Sequence, residues 1–368
     1  MSCNASRFHW HSNEWPLPAW LALLAALLLL CVLGAITWGS ASINVGMVWA
    51  IVSEQVAALL GLQADGSVTG QGAAQRQHYQ IVWMIRLPRV LLAALVGAGL
   101  AVVGVVMQAM VRNPLADPYM LGVSSGASVG AVSVLAYGSL AVAGLYAITA
   151  GAFLGALGAT VLVYALARQQ GQLHATRLIL SGVAVGYLLM GITSLITLTA
   201  GQRELANALL TWTLGSLAGA QWRALGIPTV VLLAGLLWLL LCARELNALL
   251  LGDEGAANLG VAVRQLRMQL FVVVSVMTGT MVAVSGVIGF VGLVIPHITR
   301  MLVGSDHRRV LPVSALLGAC FLVLVDVLAR TWFAPMELPV GVITALIGGP
   351  FFIGMLWRRT ADAPGRQV

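Results

Sequence analysis

Ten apolar blocks dominate this sequence, each close to the length at which an α-helix crosses a hydrocarbon core of roughly 30 Å. They lie at 17–38, 88–111, 119–139, 142–167, 177–200, 226–243, 268–285, 286–303, 310–330 and 339–357. In lipid every backbone N–H and C=O must find its partner within the protein, which leaves only helices and closed barrels. A barrel would alternate polarity over strands of about ten residues, whereas these blocks are continuously apolar. The sequence therefore predicts an all-α polytopic membrane protein of about ten transmembrane helices. Composition excludes the other classes. Only 8% of the residues are charged and 60% are hydrophobic, whereas soluble domains carry about a quarter charged residues and disorder needs the opposite balance.

Two stretches test the division. The 268–303 block is too long for one span and is divided at Ser285-Gly286. The 201–225 stretch holds Arg203, Glu204, Asn207, Gln221 and Arg223 and is too polar to cross. The first block could be a cleaved signal peptide, but its 22 residues exceed a usual h-region of about 7–15, so it reads as an uncleaved anchor.

All nineteen basic residues are arginine. With the N-terminus inside, thirteen fall on inner segments and six on outer ones (Arg76, Arg86, Arg89, Arg203, Arg223 and Arg330). The excess places both termini in the cytoplasm. Residues 1–16 and 358–368 are then cytoplasmic ends, and 17–357 is one membrane domain. The outer stretch 39–87 reads as a short helix lying on the membrane over 43–60, followed by a Gln- and Gly-rich loop. The net charge of +7 comes from single arginines at block ends, which suit anionic headgroups rather than nucleic acid. Without a lysine the chain can form neither a Walker-type phosphate loop nor a Schiff base. The scattered Cys3, Cys31, Cys242 and Cys320 read as packing thiols, and no metal site is expected.

The run RNPLADP at 112–118 is the sharpest local feature. Asn113 tolerates the left-handed cap that ends a helix, and Pro114 cannot continue one. Asp117 is placed to N-cap the next helix, with Pro118 at its first position. A polar break of this kind is either a simple turn or backbone lining a cavity at membrane depth. Small residues recur at helical spacing, as in Gly122, Gly126 and Gly130, Gly155 and Gly158, and Gly182 and Gly186, and let helix backbones approach closely.

These runs resemble the FecCD family of permeases. The resemblance covers about 80–357. It is carried by Arg86-Leu-Pro-Arg89, GAGLAVVGVVMQ (97–108), RNPLADP (112–118) and LGVSSGA (121–127). It continues through LGDEGAANLGV (251–261), SGVIGFVGLVIPHITR (285–300), SDHR (305–308), DVLAR (326–330) and ELPVGVITALIGGPFF (337–352). The family implies a type II ABC importer permease in the bacterial inner membrane. It implies a homodimer around a central pathway, two ABC ATPase subunits carrying the ATP and Mg, and a periplasmic binding protein. It implies no cofactor and no enzymatic activity in this chain. The run at 247–265 looks most like haem permeases, with siderophore and cobalamin permeases as the alternatives. A rival class, a secondary transporter, usually needs several carboxylates within its spans. Here Asp326 is the clear one, and Arg330 at i+4 reads as its structural partner.

The resemblance also implies roles for particular residues. Arg86, Arg89 and Arg330 would dock the binding protein. Asn113, Leu115, Ala175 and Thr176 would form the inner gate. Within a cytoplasmic coupling element at 244–267, the residues Leu250, Leu251, Gly252, Asp253, Glu254, Gly255, Ala256, Leu259 and Gly260 would engage the ATPase. In that element Asp253 is a natural N-cap, Gly260 ends a helix of about two turns, and a second short helix leads through Arg264 and Arg267 into the next span. Gly255 and Ala256 would permit close approach while the leucines fill a groove. The pathway would be lined largely by 177–200, which lacks ligand-grade His or Cys. His297, Met107, Met110 and Met190 read as structural.

Overall fold

Each of the ten blocks carries a helix in the computed structural model, which describes residues 15–39, 43–61, 73–169, 172–173, 175–201 and 203–361. The helices are α1 (Leu17–Thr37), α2 (Val45–Leu59), α3 (Ala73–Tyr79), α4 (Leu87–Val111), α5 (Val123–Tyr137), α6 (Ala147–Ala167), α7 (Ala175–Ala200) and α8 (Arg203–Thr213). There follow α9 (Gly226–Leu241), α10 (Ala243–Leu249), α11 (Asp253–Asn258), α12 (Val263–Ser285), α13 (Val291–Val303), α14 (His307–Thr331) and α15 (Val340–Ala361). Between α6 and α7 a two-residue antiparallel pair joins Arg168 to Leu173 and Gln169 to Gln172.

The centre of the fold is α4, buried on nearly all sides and packed against α12, α13 and α14. Its glycines explain how. A β-carbon on Gly97 would collide with the Gly318 carbonyl of α14, and one on Gly104 would collide with the Gly292 carbonyl of α13. The α5–α6 pair repeats the device with Gly126 against Gly155 and Gly130 against Gly151. With no hydrophobic drive between helices in lipid, such backbone contact supplies the dispersion that holds them together. Gly158 meets nothing within 4 Å, so the spacing overstates its part.

Three departures from the sequence expectation have local causes. The stretch 73–87, expected as loop, is helical and runs into α4 through a π-helical turn, Gln80–Arg86, in which the Leu87 N–H donates to Val82 O. Pro88 lacks an N–H and would break a regular α ladder at this point, and a π-bulge accommodates the missing bond. The earlier part of that loop, 62–72, lies outside the described residues. The polar stretch after α7 contains the short helix α8, whose Leu205, Leu209 and Trp212 face inward at helical spacing. The second half of the divided block is only partly helical: α13 has 13 residues and begins after the irregular run 286–290.

Candidate functional site

Two broken segments meet inside the bundle. The α4 helix ends at Arg112, not Asn113, because Arg112 takes the left-handed conformation (φ 53°). The Asn113 side chain instead accepts from the Leu115 N–H at 2.9 Å, closing a turn. Asp117 caps as expected, accepting from the Tyr119 N–H at 2.8 Å, but the element it starts is a 3-10 turn, Pro118–Leu121. Helix α5 begins only after Gly122. The second break is 286–290, which leaves Phe290 left-handed (φ 68°). One side chain ties the two together. The Tyr119 hydroxyl donates to Ile288 O at 2.9 Å and accepts from Ile288 N–H at 3.1 Å. Irregular backbone at this depth needs such partners. Helix α7 closes on the same place, where a β-carbon on Gly182 would collide with Met120 O.

A buried charge cluster lies where the C-terminal ends of α1 and α14 meet the N-terminal end of α4. Arg89 Nε donates to Asp326 Oδ1 at 2.8 Å, and its Nη1 donates to Glu337 at 2.8 Å. Arg330 Nε stands 3.3 Å from Asp326 Oδ2, and its Nη2 donates to Ala35 O. Arg86 Nη1 donates to Ile36 O at 3.0 Å and Thr37 O at 3.1 Å. Helix α1 has no basic residue in its own last turn. Its unpaired terminal carbonyls are instead satisfied by guanidiniums from two other elements, which also complement the helix dipole. Arg86, Arg89 and Arg330, expected to dock a binding protein, make these contacts within the chain. All three are buried and turned inward onto α1, Asp326 and Glu337.

At the opposite end a knob is built from α10 and α11. Gly252, with φ +93°, turns the chain into α11, so Asp253 is the first helical residue and not the cap. Its carboxylate accepts from Arg267 Nη2 at 2.7 Å and lies 3.5 Å from Arg112 Nη2. Gly260 (φ +83°) follows α11, but no second short helix forms, because α12 runs unbroken from Val263. Leu250, Leu251 and Leu259 are exposed, as is Glu254. Ala256 is fully buried inside the knob and offers no surface for close approach. Asn247 bridges the knob to α14. It donates to Asp306 at 2.7 Å and accepts from the His307 N–H at 2.9 Å. A groove of about 500 Å³ opens beside it, lined by Arg244, Glu245, Leu259, Val261 and Gln265 among others.

Comparison with known proteins matches residues 27–358 to the FecCD transport family. The chain belongs to that family. It is 45% identical over 287 residues to the hemin transport system permease protein HmuU of Yersinia pestis, covering 77% of this chain and 85% of that one. It is 47% identical over 283 residues to the cobalamin import system permease protein BtuC of Halobacterium salinarum, covering 77% and 75%. To the Fe(3+) dicitrate permease FecD of Escherichia coli it is 43% identical over 286 residues, covering 77% and 87%. An inward-facing structure described as a metal-chelate type ABC transporter superposes with a TM-score of 0.77 at 32% identity, covering 93% of this chain and 99% of that one.

In this FecCD permease the expected gate residues stand on the two elements named. Asn113 and Leu115 are half-buried in the break, α7 starts at Ala175, and Thr176 is exposed. The contact between those elements falls further along, at Met120 and Gly182. Met107 and Met110 are buried in α4, Met190 is exposed on α7, and His297 packs edge-on to Phe351. Cys31, Cys242 and Cys320 are free thiols, and Cys3 lies outside the described residues. Sequence reasoning missed Tyr119, Arg267, Asn247 and Glu337. Tyr119 had one signal, an aromatic hydroxyl directly after a two-proline break. Asn247 and Glu337 pair across 59 and 248 positions, and Arg267 pairs with Asp253 over 14 positions across the turn between α11 and α12, so none leaves a local pattern.

Proposed function

We propose that this FecCD permease is the membrane subunit of an ATP-driven importer in the bacterial inner membrane, moving a bulky chelate, haem foremost, into the cytoplasm. The observation that supports it most is the end-to-end family match, with curated relatives named for hemin, cobalamin and ferric dicitrate. Haem leads the alternatives because the knob sequence 247–265 resembles haem permeases most. Two copies enclose the pathway, with α7 and the broken segments at 113–122 and 286–290 facing it. Both termini are cytoplasmic, following the arginine bias. A periplasmic binding protein delivers the chelate to the outer face, and two ABC ATPases grip the knob. Leu250, Leu251 and Leu259 are the groove-filling residues, and Ala256 serves the knob's internal packing.

The test is uptake into proteoliposomes holding the permease with its ATPase, offered haem, a ferric siderophore and cobalamin on the partner binding protein. Uptake of haem that needs both internal ATP and the binding protein is the expected result. Preference for another chelate would change the substrate. Uptake driven by an ion gradient without ATP would overturn the importer reading.

A further inference from the structure

We infer that Asp253 is the residue through which displacement of the cytoplasmic knob reaches the inner gate loop. The inference rests on the coupling role proposed for 250–260 and the gate role proposed for Asn113 and Leu115. Three elements, the end of α4 and the consecutive helices α11 and α12, converge on one carboxylate oxygen. Asp253 Oδ1 accepts from Arg267 of α12 at 2.7 Å and faces Arg112, the C-cap of α4, at 3.5 Å. Arg112 directly precedes Asn113, so the carboxylate that opens α11 also touches the hinge of the gate loop.

The turn into α11 is shaped around that contact. A β-carbon on Gly252 would stand 3.0 Å from Arg112 Nη1. A side chain there would press on the guanidinium, and the φ of +93° independently favours glycine.

The two ion pairs differ in kind. The Arg267 side chain is 9% exposed, so that pair is shielded and pins α11 to α12. Arg112 and Asp253 are 46% and 47% exposed, and a pair in that setting is weak. A weak contact can part and re-form in every cycle. Arg112 is also held left-handed at φ 53°, a conformation non-glycine residues adopt at a cost. Its release from Asp253 frees the α4 end to leave that conformation, and Asn113 and Leu115 move with it. The end of α4 is thus the two-state element that both the knob and the gate bias.

The test uses the full complex of permease, ATPase and binding protein in proteoliposomes. A Leu115→Cys probe is labelled from the cytoplasmic side by a membrane-impermeant maleimide, with and without ATP, and the labelling of the unsubstituted chain is subtracted. In the parent, ATP should change the labelling rate by a factor within the range of about 5 to 150 typical of coupled sites. Asp253→Asn and Arg112→Gln should each reduce that change to under about twofold, and with Arg112→Gln, which lies outside the knob, the ATPase should still co-purify and hydrolyse ATP. Asp253→Glu should restore most of the response. Full nucleotide dependence in both Asp253→Asn and Arg112→Gln would overturn the link, as would a parent whose labelling ignores ATP. Leu251→Glu separates the two readings. If it detaches the ATPase while Asp253→Asn behaves like the parent, coupling stands and only the link fails. If the ATPase stays bound to Leu251→Glu, the coupling reading itself fails.

Discussion

The charge clusters around Asp326 and Asp253 use the same kinds of side chain to opposite ends. Asp326 is wholly buried between Arg89 and Arg330, where both charges have left water and depend on each other. Asp253 and Arg112 keep about half their surface in solvent. Breaking a buried pair strands a charge in low dielectric, whereas breaking an exposed one lets water take over. The Asp326 cluster is thus fastened and the Asp253 cluster free to exchange partners.

The largest effect tests the fastened side. Asp326→Ala leaves Arg89 and Arg330 buried beside an empty site, and breaking such a pair costs about 3–5 kcal/mol. Thermal unfolding in detergent should show this as a large fall in midpoint or as loss of the monodisperse protein. A midpoint near the parental value would mean that the cluster is looser than its burial implies. Next comes Gly104→Leu, where the backbone of Gly292 blocks the new side chain and overpacking typically costs about 1–3 kcal/mol. The same assay should show it less stable than Gly158→Leu, whose position is open.

Tyr119→Phe lies between the two regimes. It removes both hydrogen bonds to Ile288 and leaves buried backbone groups unsatisfied, at about 1–3 kcal/mol. Faster hydrogen exchange confined to 286–290 and 118–122 is expected. Exchange unchanged there would show that the hydroxyl is not the tie.

Some of this was legible before any coordinates. The ten apolar blocks and the break at 112–118 were readable because burial in lipid and proline chemistry are local rules. The fate of Arg86, Arg89 and Arg330 was not. Their partners on α1 lie 50 and 295 positions away for Arg86 and Arg330, and an arginine at a block end looks the same whether it meets solvent or a neighbouring carbonyl. The knob was half legible. Gly252 and Gly260 marked its turns, but nothing in sequence showed Ala256 facing inward or α12 starting at once.

The smallest effect belongs to the free side. Asp306 is pulled in opposite directions. Its partial burial raises the pKa, but the Asn247 amide, the Arg308 N–H and the Arg308 and His307 charges together hold it below the usual aspartate value. A depressed folded pKa stabilises above the unfolded value and is lost as pH falls through the folded one. Below about pH 4, the unperturbed aspartate range, the parent should lose a small increment that Asp306→Asn lacks. Parallel pH profiles for the two would remove Asp306 from the account.

The capping of α1 by Arg330 also sets an order of events during synthesis. Helix α1 leaves the ribosome well before α14, and the guanidinium that satisfies Ala35 O is made 295 residues later. At about 5–20 residues per second, that is on the order of 15 to 60 seconds in which the C-terminal end of α1 must borrow water or lipid headgroups. Helix α1 is therefore finished only once α14 has emerged, and a chain released before that point would carry a helix whose end never locks.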